Sequence, residues 1–249
     1  MALLKVLLLL GLGVSGNSDL SLQKRIIGGH NCDDTERLYH VRLESTAGQI
    51  KTICGGSLIH PKWILTAAHC WESETRSVNV VVVKVHPRTG EMQHHIVTHS
   101  PVLYTDDGRK HDIMLLKLQK AVTDVPLAPL PDCSNRPKIG DTVQLAGEGA
   151  TTTGPNNRRL RTSHLPAHLQ CVDMKVVQVS QSRSFGYIFR AEEPNKDACN
   201  GESGGAVVFN GKIYGVISVD SSHYACKKPV SIMDVCEYIG WIKKTIGGK

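Results

Sequence analysis

No apolar stretch in this 249-residue sequence is long enough to span a membrane. The run from Val6 to Leu12 falls far short of the roughly 20 residues that a spanning helix needs. There is no repeat of fixed period and no low-complexity linker, which excludes solenoids and propeller arrays. Helical periodicity is scarce, which argues against a bundle. No Asn-x-Ser/Thr sequon occurs, so N-glycosylation is not expected. A net charge of +6 is mild, and no nucleic-acid motif accompanies it. Its densest cluster, Arg158-Arg159-Leu160-Arg161, reads as an exposed, cleavage-prone loop, with an anion-binding exosite as the alternative. His94, His95 and His99 lack a further ligand. Alternation sets His95 and His99 on one face of a strand, and two histidines alone read as solvated side chains rather than a metal site.

What is present is a short leader, many short strands and a set of cysteines. Residues 1–16 carry Lys5, the apolar run and small residues ending at Gly16, the pattern of a secretory signal. Eight cysteines in a secreted chain point to disulfides, whose pairing the spacing alone leaves open. Strand-like runs cover Val78–Val85, Ile113–Leu118, Val143–Ala146, Val172–Val179 and Ala206–Val219, divided by Gly, Pro and Asn clusters. Asn210-Gly211 is a hairpin signal, because a type I′ turn needs positive φ at both central residues. Val235, Ile239, Ile242 and Ile246 recur at helical spacing near the end. This pattern predicts an all-β chain of two antiparallel barrels with a C-terminal helix.

Three segments carry chemistry. Asp197-Ala-Cys-Asn-Gly-Glu-Ser-Gly-Gly-Ala206 sets Ser203 among glycines, Leu65-Thr-Ala-Ala-His-Cys70 offers His69, and His111-Asp-Ile-Met-Leu-Leu-Lys-Leu118 offers Asp112. A serine hydroxyl is a weak nucleophile until a base takes its proton and donors receive the developing oxyanion. The order histidine, aspartate, serine is that of a known triad. With Arg25-Ile-Ile-Gly-Gly29 and Cys54-Gly-Gly-Ser-Leu-Ile59, these segments give five signatures in order. By them the chain resembles the trypsin/chymotrypsin-like serine peptidases over essentially everything after residue 25.

The resemblance implies two six-stranded barrels within residues 26–249, divided near 125–140, with the site between them. It implies a propeptide at 17–25, cleavage after Arg25, and insertion of the freed Ile26 ammonium against the acid before the nucleophile, here Glu202. His69 would act as general base and acid, Asp112 would orient it, and Gly201 with Ser203 would supply the oxyanion donors. Ser218 would back Asp112 and start the substrate-pairing strand. The implied disulfides are Cys32–Cys171, Cys54–Cys70, Cys133–Cys236 and Cys199–Cys226. Two further family bridges are absent, and for one of them both positions have become apolar, Val143 and Phe209. No cofactor or metal is expected, calcium included, since few carboxylates follow Cys70 and calcium wants six or more oxygens. Expected partners are protein or peptide substrates, serine protease inhibitors and an activating protease, with no nucleic acid and no membrane, for a secreted monomer.

Several positions depart from the family pattern. Glu202 stands where aspartate is usual, and its extra methylene lengthens the arm by about 1.5 Å. Asp197 occupies the basic-specificity position at the pocket base, but the two wall positions that are glycine in trypsins read Asp220 and Val230. Three pockets fit those residues: one remodelled so that Asp220 meets a basic side chain, a shallow one, and a closed one. Gly147-Glu-Gly149 replaces the family's Gly-Trp-Gly, and the stretch from Cys171 to Cys199 is shorter than in trypsins; both are expected to alter walls of the substrate cleft. The sequence reads as a serine endopeptidase, and the rival is a secreted binding protein on a peptidase scaffold.

Overall fold

The computed structural model describes residues 28–73, 77–87, 90–149, 153–154, 156, 158–159, 165–182, 186–198, 201–218 and 229–247. In the first half the strands are β1 (His30–Asn31), β2 (His40–Ala47), β3 (Ile50–His60), β4 (Trp63–Thr66), β5 (Val78–Val83), β6 (Gln93–Ile96), β7 (Val102–Asp106) and β8 (Arg109–Lys117). A single 3-10 turn, Ala68–Cys70, follows β4. The second half holds β9 (Thr142–Gly147), β10 (Thr153–Gly154), β11 (Arg158–Arg159), β12 (Gln170–Ser182), β13 (Gly186–Glu192), β14 (Ala206–Phe209), β15 (Lys212–Ile217) and β16 (Val230–Asp234). Helix α1, Val235–Gly247, is the last element of the described residues.

Two seven-stranded antiparallel sheets result, and β10 pairs with β11 as a separate two-stranded ribbon. One runs β6-β5-β2-β3-β4-β8-β7. The other runs β1-β12-β13-β16-β15-β14-β9, and an additional β12–β9 pairing closes six of its strands into a barrel. The short β1 therefore crosses over to join the second sheet, where His30 pairs with Cys171. The type I′ expectation holds at the β14–β15 hairpin, with φ of 48° at Asn210 and 74° at Gly211.

β-branched and leucine side chains fill both sheets because each strand sends alternate residues inward. Val41, Leu43, Leu58, Ile64, Val81, Val83, Ile113 and Leu115 belong to the first core. Val143, Leu145, Val172, Met174, Phe189, Val207 and Ile232 belong to the second. Each such side chain stabilises the fold by about 1.5–3 kcal/mol when fully buried. Val143 is in this core and Phe209 packs against it, so apolar contact stands where the family has a bridge.

β2 departs from simple alternation. Val41 and Leu43 face the first core, yet His40 and Arg42, on the opposite face, are buried as well. Arg42 reaches Glu148 just beyond β9, so that face is covered by the second half of the chain.

The helix presents the expected face to the core, with Tyr238 added to it. Its buried side chains are Val235, Cys236, Tyr238 and Ile242, while Ile239 and Ile246 are only partly covered. Tyr238 decides the docking: its hydroxyl lies 2.9 Å from His111 Nδ1 and accepts the Tyr187 N–H at 3.0 Å. Three disulfides pair as expected, Cys32–Cys171, Cys54–Cys70 and Cys133–Cys236. Cys199 and Cys226 lie outside the described residues.

Candidate active site

His69 is held on the 3-10 turn after β4, and the Cys54–Cys70 bridge anchors that turn to β3. Its backbone N–H donates to Asp112 Oδ1 at 2.9 Å, and its Nδ1 lies 2.8 Å from Asp112 Oδ2. Ser218 donates its hydroxyl to the same Oδ2 at 2.5 Å. One carboxylate therefore fixes both the backbone and the ring of the histidine while a hydroxyl braces it from the second sheet. Burial pushes the Asp112 carboxyl upward, but the hydrogen bonds from His69 and Ser218 outweigh that and hold it below the usual range. The imidazole is 43% exposed, so its outer edge is reachable, whereas Asp112 is 11% exposed.

Ser203 lies three residues before β14, and its backbone is tied to β3 beside the Cys54–Cys70 bridge that anchors the His69 turn. The Gly55 N–H donates to the Ser203 carbonyl at 2.7 Å, and Gly204 N–H donates to Ile217 O at 2.7 Å. Gly204 has φ of 82°, and a Cβ there would fall 2.2 Å from Thr66 Oγ1 and 2.3 Å from Gly55 O. Only glycine permits both that left-handed backbone and that contact. Thr66 ends β4, three residues before His69, so this close approach draws the serine segment onto the histidine segment.

The acid before the serine has room. Glu202 is fully buried. A Cβ at Gly147 would lie 2.7 Å from Glu202 Cγ, and one at Gly149 only 2.6 Å from Glu202 Oε1. The two glycines thus vacate the space that the longer glutamate fills. Gly201 has φ of 98° and rests on the same segment, its hypothetical Cβ 3.1 Å from Gly149 Cα.

Glu148, between those glycines, does not open onto a cleft wall as its position suggested. It is buried against Arg42, which donates through Nε to Oε2 at 2.8 Å and through Nη2 to Oε1 at 3.2 Å. A guanidinium fork matches a carboxylate in this way, whereas a carboxylate on an apolar cleft wall would lack compensation. Sequence reading missed Arg42 and His40. The available signal was a pair of cationic-type residues alternating with valine and leucine inside a strand.

At the pocket end Asp197 is 1% exposed and Val230 7% exposed. Val230 pairs with Ala191 and shares the second core with Ala198, the neighbour of Asp197. Asp220, Arg25, Ile26, Leu160 and Arg161 lie outside the described residues; Arg158 and Arg159 form β11 and pair with β10. His99 follows the end of β6 and does not share that strand with His95. Among the described residues, the groups close enough to ligate a metal, Cys54–His69–Cys70 and Cys32–Glu36–Cys171, use cysteines already committed to disulfides. No helix among them is long and apolar enough to cross a membrane.

A hydrogen-bonded histidine–aspartate pair on one antiparallel sheet, with a serine segment from the second half of the chain held against β3 and the end of β4, is the arrangement expected of the class of chymotrypsin-fold serine peptidases. The comparisons place the chain within it. The Trypsin family model matches residues 26–242, and the chain belongs to that family. Trypsin I-P1 of Gallus gallus is 32% identical over 241 residues, covering 89% of each chain. Human Kallikrein-5 is 30% identical over 251 residues, covering 95% of this chain and 81% of its own. The solved structure of neuropsin, a serine protease expressed in the limbic system of mouse brain, superposes with a TM-score of 0.68. It is 26% identical and covers 88% of this chain and 98% of its own.

Proposed function

We propose that this protein is a secreted serine endopeptidase, made as a zymogen and activated by cleavage after Arg25. Ser203 Oγ attacks the scissile carbonyl while His69 takes its proton through Nε2. The carbonyl oxygen becomes the oxyanion and is received by the N–H groups of Gly201 and Ser203, each such donor typically being worth 10²–10³ in rate. His69 returns the proton to the leaving amine, giving an acyl-enzyme and a shortened peptide. Water then attacks the acyl group with His69 again as base, releasing the acid and restoring Ser203. Asp112 stays ionised throughout, holds Nδ1 protonated and stabilises the imidazolium. The observation that carries this reading is the chain Ser218–Asp112–His69, with 2.5 and 2.8 Å links, beside a serine segment whose backbone is hydrogen-bonded to Gly55 of β3.

Activation follows from Ile26. Its freed α-amino group pairs with Glu202, for which Gly147 and Gly149 leave space. The leader at residues 1–16 supports secretion. Asp197 at the pocket base favours basic substrate side chains, with Asp220 and Val230 modifying entry. Substrates are proteins or peptides, and serine protease inhibitors bind the same face. A second reading, a binding protein on this scaffold, draws on the burial of both Asp197 and Val230.

Fluorophosphonate labelling of the purified chain, before and after cleavage at Arg25, separates the two. Labelling after cleavage and none in Ser203→Ala is the expected result. No labelling of verified, cleaved, folded protein would favour the binding protein.

A further inference from the structure

The loop that carries Gly201 and Glu202 does not rest on an apolar platform. It rests on Gly147-Glu148-Gly149, the segment that ends β9. The Glu202 side chain fills the space left by both glycines, and Gly201 lies so near the segment that a Cβ added to it would meet Gly149 Cα at 3.1 Å and Glu148 O at 3.5 Å. Two glycines in three residues leave a backbone with little conformational restraint of its own. The side chain between them supplies the restraint. Glu148 is gripped at both carboxylate oxygens by Arg42 of β2, from the other sheet, and Arg42 Nη1 is held in turn by Glu44 Oε1 at 3.1 Å.

Both partners of this pair are nearly sealed from water, at 5% and 2% exposure. A buried pair of that kind is a weak source of net stability, because desolvation offsets its attraction. What it provides is direction: two parallel N–H···O bonds allow one relative placement of guanidinium and carboxylate. That placement sets the height of the Glu148 backbone beneath Gly201.

We propose that Arg42 and Glu148 are positioning residues for the oxyanion loop, transmitting the position of the first sheet to Gly201–Ser203 through the Gly147–Gly149 cradle. Neither touches substrate. The inference rests on Ser203 being the nucleophile, and it assigns a role in the rate of the chemical step, not in substrate affinity.

The test uses the full chain cleaved at Arg25 and a fluorophosphonate probe at graded concentrations. That design separates the maximal labelling rate from the half-saturating concentration. Two variants are compared with the parent. Arg42→Lys keeps the charge but loses the fork. The double variant Arg42→Met with Glu148→Leu removes the pair with apolar side chains of similar size, a change buried pairs commonly tolerate. Folding of each is verified by its thermal transition. The expected result is a maximal rate lowered roughly 10- to 100-fold, as a displacement of about 1 Å produces, with the half-saturating concentration unchanged. If Arg42→Lys does not fold, the double variant alone decides. A folded variant that labels at the parent's maximal rate overturns the proposal, as does a loss confined to the half-saturating concentration. Failure of the parent itself to label removes the peptidase reading and this inference with it, so the two failures are distinguishable.

Discussion

The two ends of the site have diverged to different degrees. At the catalytic end, His69, Asp112 and Ser218 form an unbroken hydrogen-bonded chain, and Gly204 fits only as glycine. At the proposed pocket end, Val230, which stands where the resemblance leads one to expect glycine, packs into the second core with Ala198, the neighbour of the buried Asp197. The difference follows from what each end must do. Proton transfer and oxyanion binding depend on distances of a few tenths of an ångström, so one substitution there costs orders of magnitude. A pocket wall sets which side chain enters, and one methylene there is worth about 1–3 kcal/mol. A chain can travel far at the second end while remaining fixed at the first.

The strongest way to break the comparison is at Asp112. Asp112→Asn preserves shape but presents an amide to His69 Nδ1, favouring the wrong tautomer. The expected loss is on the order of 10⁴ in labelling or turnover rate, with the fold intact. A loss below tenfold in folded protein would mean that the catalytic end is less constrained than its geometry implies.

Acid probes the seam between the sheets rather than the pocket. His40 is buried beside that seam, and its Nε2 has no hydrogen-bond partner among the described residues. Burial lowers its pKa to about 4, against the opposing pull of Glu148 and with help from the charges of His86, Arg42 and Arg37. In the unfolded chain the imidazole takes up a proton near its ordinary value of 6.5; in the folded chain it does so only near pH 4. Stability is therefore fully present above about pH 6.5 and falls as pH drops towards about 4, by on the order of 3 kcal/mol from this residue. Denaturant unfolding of the parent and His40→Gln across that range checks it. The variant should show a flatter acid limb; superimposable limbs would exclude His40 as the cause.

How much of this was legible follows the distance over which each feature is encoded. The Asn210-Gly211 turn is local backbone chemistry, and it appears as read. The triad segments and three disulfides are legible through family resemblance, each short motif carrying its own geometry. Arg42 and Glu148 stand 106 residues apart on different sheets, and nothing in either neighbourhood names the other. Glu202 looked too long for its site because the space it needs is made by residues 147 and 149. The helix face was legible from the apolar spacing of Val235, Ile239, Ile242 and Ile246, all of which meet the core, whereas the contact of the Tyr238 hydroxyl with His111 was not, because its partner lies 127 residues away.

The pocket end gives the smallest expected effect and the sharpest test of the comparison. Val230 is 7% exposed and lies in the same core cluster as Ala198, so its isopropyl group occupies space beside the segment that carries Asp197. Replacing Val230 with glycine, together with Asp220→Gly, removes the side chains from both wall positions while leaving Ser203, His69 and Asp112 untouched. A substrate arginine could then reach Asp197 and form a charge-assisted pair inside the pocket. kcat/KM for cleavage after arginine should rise at least about tenfold, with the fluorophosphonate labelling rate unchanged because the catalytic end is not altered. The unchanged labelling is as important as the gain, since a fall in both would mean that the wall and the serine loop are mechanically one unit. No gain with labelling intact would show that Val230 and Asp220 are not what limits the entry of arginine, and that the pocket differs from a trypsin pocket in more than two side chains.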